Sequence, residues 1–472
     1  MVRSTDEVHE EFAIIEEKII DGEFGPIYNV PLAQPEEKRL ASKLKRKIRG
    51  GISIEEVIDD ICDLKISEDE KGTIAKLLVD DVLGYGPLQP LLDDDEIEEI
   101  MVLGINTPVY IYHRLHGMCE TNLIFSDSKE IESIIYEVAK INNRRVDSSH
   151  PLLEARMQDG SRVNATLSAV SLAGPTITIR KFTQDPYTIV DLIKFGTIDA
   201  KVAAFLWLVV EGLGYQAGNI LISGGTGSGK TTLLNCLAIF VPARERVITI
   251  EDTVELQLPV KHKIALETRP PYTDGEEITA DMLLKNALRM RPDRIIVNEV
   301  RGAETKTLFN AMNTGHDGCM GTIHANSAKD TLTRLINPPM NVVNTMIPSL
   351  DLILVQNSIN KGKVTIRRMT ELAEVGGMEG EKILLNNIYE WDPKEDTLKS
   401  TGTPSMLRQK IAGNVGWSGD MMNSELETRE LLLEYMVKED ISNQEDVYRW
   451  IQEYYNDPEK VLDKISTENQ DL

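Results

Sequence analysis

Cysteine is scarce in this sequence, and its spacing argues against two common kinds of site. The 472 residues contain 4 cysteines, at positions far from one another. There is no CxxC pair to hold zinc, and cysteines this widely separated are not typical of a disulfide framework. We therefore expect reduced, mostly buried thiols in a cytosolic protein. The cysteines are Cys62, Cys119, Cys236 and Cys319.

Long apolar runs are also missing. The longest extends from Val202 to Val210 and is stopped by Glu211. This is half of the ~20 residues that a membrane span requires, so it predicts a buried helix. The first residues, Met1 to Glu7, include acids where a signal peptide would have an apolar segment. Any membrane association should therefore be peripheral.

Positive charge is in short supply. Lys and Arg number 51 against 76 Asp and Glu, and the formal net charge is -25. An extended nucleic-acid footprint needs clustered cations, so we expect no nucleic-acid partner. A local exception is the segment 43–49, KLKRKIR, which carries five cations. This segment predicts either a solvated helix face or contact with an acidic lipid surface or an acidic neighbour.

Length and periodicity divide the chain into five segments. At roughly 150 residues per domain, 472 residues predict about three domains. Residues 198–402 alternate strands with helices. This alternation predicts a mostly parallel sheet covered by helices, and so an α/β fold. The predicted segments are an N-terminal helical region, 1–92, an α+β domain, 93–182, a linker, 183–197, the strand-helix domain, 198–402, and a helical, acidic tail, 403–472.

The strongest motif is a glycine-rich loop at residues 224–231. Its sequence, GGTGSGKT, matches G-x-x-x-x-G-K-[ST] and lies between an apolar strand, 219–223, and a predicted helix. Glycines let successive N–H groups converge on phosphate oxygens at a helix N-terminus. Lys230 should reach the β and γ phosphates, and the Thr231 hydroxyl should ligate Mg²⁺. The predicted nucleotide-binding residues are Gly224, Gly225, Thr226, Gly227, Ser228, Gly229, Lys230, Thr231 and Thr232.

Two apolar strands downstream run into carboxylates. The strand 247–250 leads into three acids, of which Glu255 is the last, and the strand 294–298 ends at Glu299. A P-loop enzyme needs such a strand end to order Mg²⁺ and the attacking water. We therefore predict Glu255 and Glu299 as catalytic residues and, with Thr231, as magnesium ligands.

Histidine is rare, yet two histidines lie close together. Of 7 in the chain, His316 and His324 are eight residues apart and are flanked by small polar residues. This pattern predicts a sensor loop in which His324 serves catalysis. No third or fourth ligand lies near them in the sequence, so we do not expect a zinc site.

These four elements, in this order, resemble the secretion ATPase superfamily. Its members are the ring-forming motors of type II and type IV secretion, type IV pili and the archaellum. The family's Walker A loop, Asp box, Walker B segment and His box match residues 224–231, 251–255, 295–301 and 321–326.

The resemblance extends upstream to two arginines. Arg156 and Arg162 resemble arginines of the family's N-terminal domain that approach the γ-phosphate. The resemblance implies that they are catalytic and stabilise transition-state charge. The alternative is that they hold a hairpin by salt bridges.

The resemblance implies an ATP hydrolase with ATP and Mg²⁺ as cofactors. It implies a RecA-like P-loop domain, a smaller PAS-like α+β domain and an added helical bundle. It also implies a homohexamer at the cytoplasmic face of the cell membrane, which works on a membrane platform protein to assemble or rotate a pilus-like filament. No cysteine follows Cys319, so the tetracysteine module usual in bacterial type II enzymes is missing. The helical front end and the long tail look closer to the archaeal pilus and archaellum motors, or to the tight-adherence pilus motors, than to the classical type II enzymes. Two alternatives stay open, a DNA-translocating type IV secretion ATPase and a nucleotide-binding scaffold without turnover.

Overall fold

The computed structural model divides into two units, each with its own sheet. It describes residues 18–468 except 23–24, 31, 50–52, 63, 65, 83, 183–185, 270–275, 362–363 and 381. The boundary falls between Gln184 and Asp185, inside the range predicted as a linker. Both units combine helices with strands, so the predicted α/β class is confirmed.

The first unit is built on an eight-stranded sheet. Its strands are β1, Ile19–Gly22, β2, Gly25–Tyr28, β3, Ile97–Val102, β4, Pro108–His113, β5, Gly117–Ile124, β6, Leu152–Arg156, β7, Arg162–Thr166, and β8, Thr176–Arg180. In space they follow the order β1-β2-β5-β4-β3-β8-β7-β6, and all neighbours are antiparallel except β2 and β5. Buried and less buried residues alternate along β4 and β7, as expected of a sheet with one face on a core.

Helices complete the first unit. They are α1, Pro35–Arg49, α2, Ile54–Cys62, α3, Glu68–Val82, α4, Gln89–Leu92, and α5, Ser128–Ile141. The side chain of Asp127 accepts a hydrogen bond from the Lys129 N–H and so caps the start of α5. Ile131, Ile135 and Val138 recur at helical spacing and pack into the core of the sheet.

The front end of the chain differs from the prediction. Residues 1–92 were expected to be helical, but β1 and β2 form a hairpin whose second strand pairs with β5. The hairpin is joined to the sheet because Tyr28 and Val30 are buried in its core and the Val30 N–H donates to Asn122 Oδ1 over 2.7 Å. Four-residue strands are too short to show periodicity. Residues 1–17 lie outside the described part of the chain.

The helical bundle itself is confirmed for α1, α2 and α3. Leu44, Val57 and Leu78, one from each helix, share a buried cluster. The basic segment 43–49 lies on α1, where Lys45 pairs with Asp81 of α3 over 3.1 Å. Lys45 therefore contributes to the bundle. Contact of segment 43–49 with lipid stays a prediction.

The second unit contains a nine-stranded sheet. Its strands are β9, Ile220–Ser223, β10, Val247–Glu251, β11, Lys263–Glu267, β12, Arg294–Val297, β13, Met320–Ile323, β14, Leu352–Lys361, β15, Val364–Glu379, β16, Lys382–Asp392, and β17, Thr397–Ser400. The order is β11-β10-β12-β13-β9-β14-β15-β16-β17. Neighbours from β11 to β14 are parallel, and those from β14 to β17 are antiparallel. The predicted parallel sheet is confirmed for six strands, and the antiparallel extension was not foreseen.

Helices cover this second sheet. They are α6, Ile189–Lys194, α7, Ala200–Glu211, α8, Lys230–Ala238, α9, Ala280–Ala287, α10, Glu304–Asn313, α11, Ala328–Ile336, α12, Met406–Val415, α13, Gly419–Lys438, α14, Gln444–Asn456, and α15, Pro458–Glu468. The predicted buried helix at 202–210 is confirmed as part of α7. The range predicted as a linker contains α6, whose Ile189, Val190 and Leu192 are buried in the core of this unit.

The C-terminal helices pack into the core of the second unit. Arg429 of α13 has 1% of its side chain exposed and forms ion pairs with Glu211 of α7 over 2.7 Å and with Glu425 over 2.8 Å. Its guanidinium lies 4.9 Å from the ring centroid of Trp207, whose indole N–H donates to the Tyr455 hydroxyl of α14. A charge this buried is tolerated only when it is paired, so these contacts fix the tail to α7.

All four cysteines are free thiols, with Cys62 exposed and the other three buried. In the part of the chain that the structure describes, no helix is both long and apolar enough to cross a membrane.

Candidate nucleotide site

The glycine-rich loop connects β9 to α8 and closes around the start of that helix. Gly227 and Gly229 have φ angles of +70° and +88°, which side chains rarely adopt. A Cβ at Gly224 would lie 2.1 Å from the backbone oxygen of Gln356 on β14. Glycine at these positions therefore gives the loop the curvature and clearance that phosphate binding requires. On its outer side, Arg367 Nε of β15 donates to the Gly227 oxygen over 3.0 Å.

The motif segments meet at one edge of the sheet because parallel strands place their carboxyl ends together. The loop follows β9, the acidic stretch follows β10, Glu299 follows β12 and His324 follows β13. Every residue of these four strands is buried, which explains why their sequences are mostly apolar.

A first series of contacts joins Lys230, His324 and Glu299. Lys230 Nζ donates to the Gly225 oxygen over 2.7 Å and lies 3.5 Å from His324 Nδ1. His324 Nε2 lies 3.4 Å from Glu299 Oε1. Burial lowers the pKa of Lys230, while Glu299 opposes that shift. Burial and the nearby Lys230 charge lower the pKa of His324, which favours a neutral imidazole between cation and carboxylate.

A second series joins Thr231, Asn298 and Glu255. The Thr231 hydroxyl donates to Asn298 Oδ1 over 3.4 Å, and Asn298 Nδ2 donates to Glu255 Oε2 over 3.3 Å. Sequence reasoning did not single out Asn298. Its only signal is its place between an apolar strand and Glu299.

The three acids at the end of β10 and just after it have different surroundings. Glu251 is 1% exposed and accepts hydrogen bonds from the backbone N–H groups of Glu255 and Leu256, over 2.7 and 2.9 Å. Burial raises its pKa. Asp252 instead forms an ion pair with Arg301. Glu251 and Asp252 thus fix this loop, and Glu255 is the acid that faces Asn298.

The structure separates the two histidines of the predicted sensor loop. His316 precedes β13 and His324 follows it, so they lie at opposite ends of that strand. Four strand residues span roughly 13 Å. The single-loop prediction is therefore wrong for His316, since it treated a buried strand as part of the loop.

Arg156 and Arg162 lie in the first unit, whereas the other predicted site residues lie in the second. They face each other across β6 and β7, and Arg162 faces Arg180 on β8 in turn. Directly opposite residues share a face, so the three arginines form a row that continues to Glu99 on β3. Strand register brings Arg180 into this row, and the sequence alone does not give that register.

The residues at the loop suit Mg²⁺ better than a softer metal. The Thr231 hydroxyl and the carboxylates of Glu255 and Glu299 are hard oxygen donors. Among the described residues, no group of three or more His, Cys, Asp or Glu side chains could hold a metal by itself. Such a partial donor set fits an ion whose coordination is completed by phosphates and water.

The chain matches known proteins over most of its length. The family model for type II/IV secretion system proteins matches residues 82–451. An uncharacterized protein of Methanocaldococcus jannaschii, MJ0781, is 33% identical over 80% of this chain and 76% of its own. The putative conjugal transfer protein Rv3659c of Mycobacterium tuberculosis is 32% identical, over 55% of this chain and 74% of its own.

Among solved structures, the VirB11 ATPase of Brucella suis is 27% identical over 61% of this chain and 91% of its own, with a TM-score of 0.30. The chain belongs to the type II/IV secretion ATPase superfamily.

Proposed function

We propose that this protein hydrolyses ATP with Mg²⁺ and uses the energy to drive a filament or secretion machine. The observation that carries the proposal is the pair of contact series at the start of α8. One links Lys230 to Glu299 through His324, and the other links Thr231 to Glu255 through Asn298. A glycine loop that only shaped a turn would need neither series.

The proposed chemistry assigns a role to each residue. Lys230 and the loop N–H groups bind the β and γ phosphates. Glu299 accepts a proton from the attacking water as the water oxygen bonds to the γ-phosphorus. The bond from that phosphorus to the ADP oxygen breaks, so the products are ADP and phosphate. His324 lies against Glu299 and orients its carboxylate. Glu255, Glu299 and the Thr231 hydroxyl would hold Mg²⁺, which neutralises developing phosphate charge when bound.

The finer assignment is a homohexamer of the archaeal pilus and archaellum branch, with a RecA-like second unit and a PAS-like domain in the first. Similarity to an archaeal relative over most of both chains supports this branch. We place the protein at the cytoplasmic face of the membrane, on a platform protein, where segment 43–49 meets acidic lipid. The rival is a DNA-translocating secretion ATPase, which the name of the mycobacterial relative favours. The net charge of -25 disfavours that rival.

The first test is the ATPase rate of the purified chain, with and without acidic lipid vesicles, together with its mass in MgATP. Turnover by a hexamer supports the proposal. Nucleotide binding without turnover in either condition would favour the scaffold alternative. Tight single-stranded DNA binding at moderate salt would favour the DNA translocase.

Single replacement of Arg156 or Arg162 by Ala should lower kcat about 10- to 100-fold and change the Kd for MgADP less than about threefold. This is short of the 10³ to 10⁵ that a sole arginine finger contributes, since one arginine remains. Steady-state kinetics and nucleotide titration measure the two effects. Arg145→Ala is the control, because it removes the same charge from an exposed ion pair with Asp147 in this unit. A loss confined to the unfolding temperature would support the salt-bridge alternative.

A further inference from the structure

Asn298 is held more rigidly than its place after a strand requires. Its backbone N–H donates to the Ile250 oxygen of β10 over 2.9 Å, and its backbone oxygen accepts from the Thr322 hydroxyl of β13. The residue is 9% exposed. Neighbours on both sides therefore fix its backbone, and its side chain has little freedom to turn away.

The Asn298 amide matches its two partners in polarity. Its Oδ1 accepts the Thr231 hydroxyl, and its Nδ2 donates to the Glu255 carboxylate. An amide offers both an acceptor and a donor, whereas an ionised aspartate of the same shape offers acceptors only. Aspartate here would also place a second negative charge beside Glu255.

The contact with Thr231 has a chemical consequence. A hydroxyl has one proton and two lone-pair directions. A lone pair can point towards a cation only if the proton points elsewhere, and Asn298 Oδ1 is the acceptor that receives it. Through its Nδ2, Asn298 also holds the Glu255 carboxylate beside the Thr231 hydroxyl, where the cation would bind.

We propose that Asn298 is a positioning residue for the magnesium site, which aims the Thr231 hydroxyl and holds Glu255 and so sets the Mg²⁺ requirement of nucleotide binding. The inference rests on the proposed function and deepens it. It gives a role to a neutral side chain that sequence motifs pass over. Partners of this kind commonly change metal affinity 10- to 100-fold when they are removed.

The test measures the Mg²⁺ concentration that half-saturates binding of a fluorescent ADP analogue to the full chain. Asn298→Ala should raise that concentration about tenfold or more. Asn298→Asp keeps the acceptor for Thr231 and should need less Mg²⁺ than Asn298→Ala. An equal requirement in both variants would contradict the role of Oδ1. If the alanine variant does not fold, Asn298→Ser replaces it. Serine is too short to reach both partners, so it should also raise the required Mg²⁺ concentration about tenfold or more.

Asn219→Ala is the matched control. Asn219 is also a buried amide of this unit, 3% exposed, with one donated and one accepted hydrogen bond of 2.8 Å, to Ser349 and from Cys319. It precedes β9, at the opposite end of that strand from the loop. Its removal should lower the unfolding temperature and leave the Mg²⁺ requirement unchanged.

The outcomes separate the inference from the proposed function. A wild-type chain whose nucleotide binding does not respond to Mg²⁺ would overturn the proposed function itself. A responsive wild type with an Asn298→Ala variant within twofold of it would overturn the role of Asn298 alone.

Discussion

Lys230→Ala is expected to abolish ATP turnover, with a loss of at least about 10³-fold. Lys230 is the only charged side chain of the glycine-rich loop, and it is 7% exposed. Its ammonium therefore acts in a poorly solvated place, where a charge interacts strongly with phosphate oxygens. Alanine removes that charge and keeps the helix propensity of this position at the start of α8. The loss corresponds to about 4 kcal/mol of transition-state stabilisation.

Nucleotide affinity should fall along with turnover, because Lys230 contacts phosphates in the ground state as well. Calorimetric titration with MgADP and a coupled ATPase assay measure the two quantities. Lys263→Ala is the matched control, since Lys263 is also partly buried in this unit and its Nζ donates to the Leu258 oxygen over 2.9 Å. Lys263 begins β11, away from the strand ends that form the site. Normal turnover in Lys230→Ala would contradict the proposed function.

Local signals predicted most of the second unit correctly. The strands β9, β10 and β12 are short, mostly apolar segments that begin or end in polar residues, and burial on both faces produces that pattern. The strands β15 and β16 were missed because their residues are mostly half-buried and mix polar with apolar types. Their place is set by pairing with β14, which is a long-range property.

The candidate site divides in the same way. The loop and the two acidic strand ends could be predicted from the sequence. The backbone of the loop requires glycine, and a cation site requires acidic residues. Asn298, Arg180 and Arg367 are not visible, since each reaches its neighbours through the register or order of strands. The tail is a further case. Its helices could be predicted from periodicity, but the ion pair of the buried Arg429 with Glu211 of α7 could not.

Glu299→Gln is expected to bind MgATP with nearly wild-type affinity and to hydrolyse it about 10³-fold more slowly. Glutamine keeps the size of the side chain, an oxygen that can ligate Mg²⁺ and a polar contact with His324, whose Nε2 lies 3.4 Å from Glu299 Oε1. It cannot accept a proton from water, and removing a general base typically costs 10² to 10⁴ in rate. Single-turnover hydrolysis and binding of a fluorescent ATP analogue separate chemistry from affinity.

Two further variants show which acid does the chemistry. Glu390→Gln makes the same change on β16, outside the site, and should leave both quantities unchanged. Glu255→Gln should weaken Mg²⁺-dependent binding more than Glu299→Gln. Glu255 is linked through Asn298 to the Thr231 hydroxyl, the other proposed Mg²⁺ ligand, whereas Glu299 contacts His324. If Glu299→Gln turned over normally and Glu255→Gln did not, proton acceptance would belong to Glu255. The two contact series end in different carboxylates, Glu299 and Glu255. Comparing the turnover of the two variants therefore shows which of them accepts the proton.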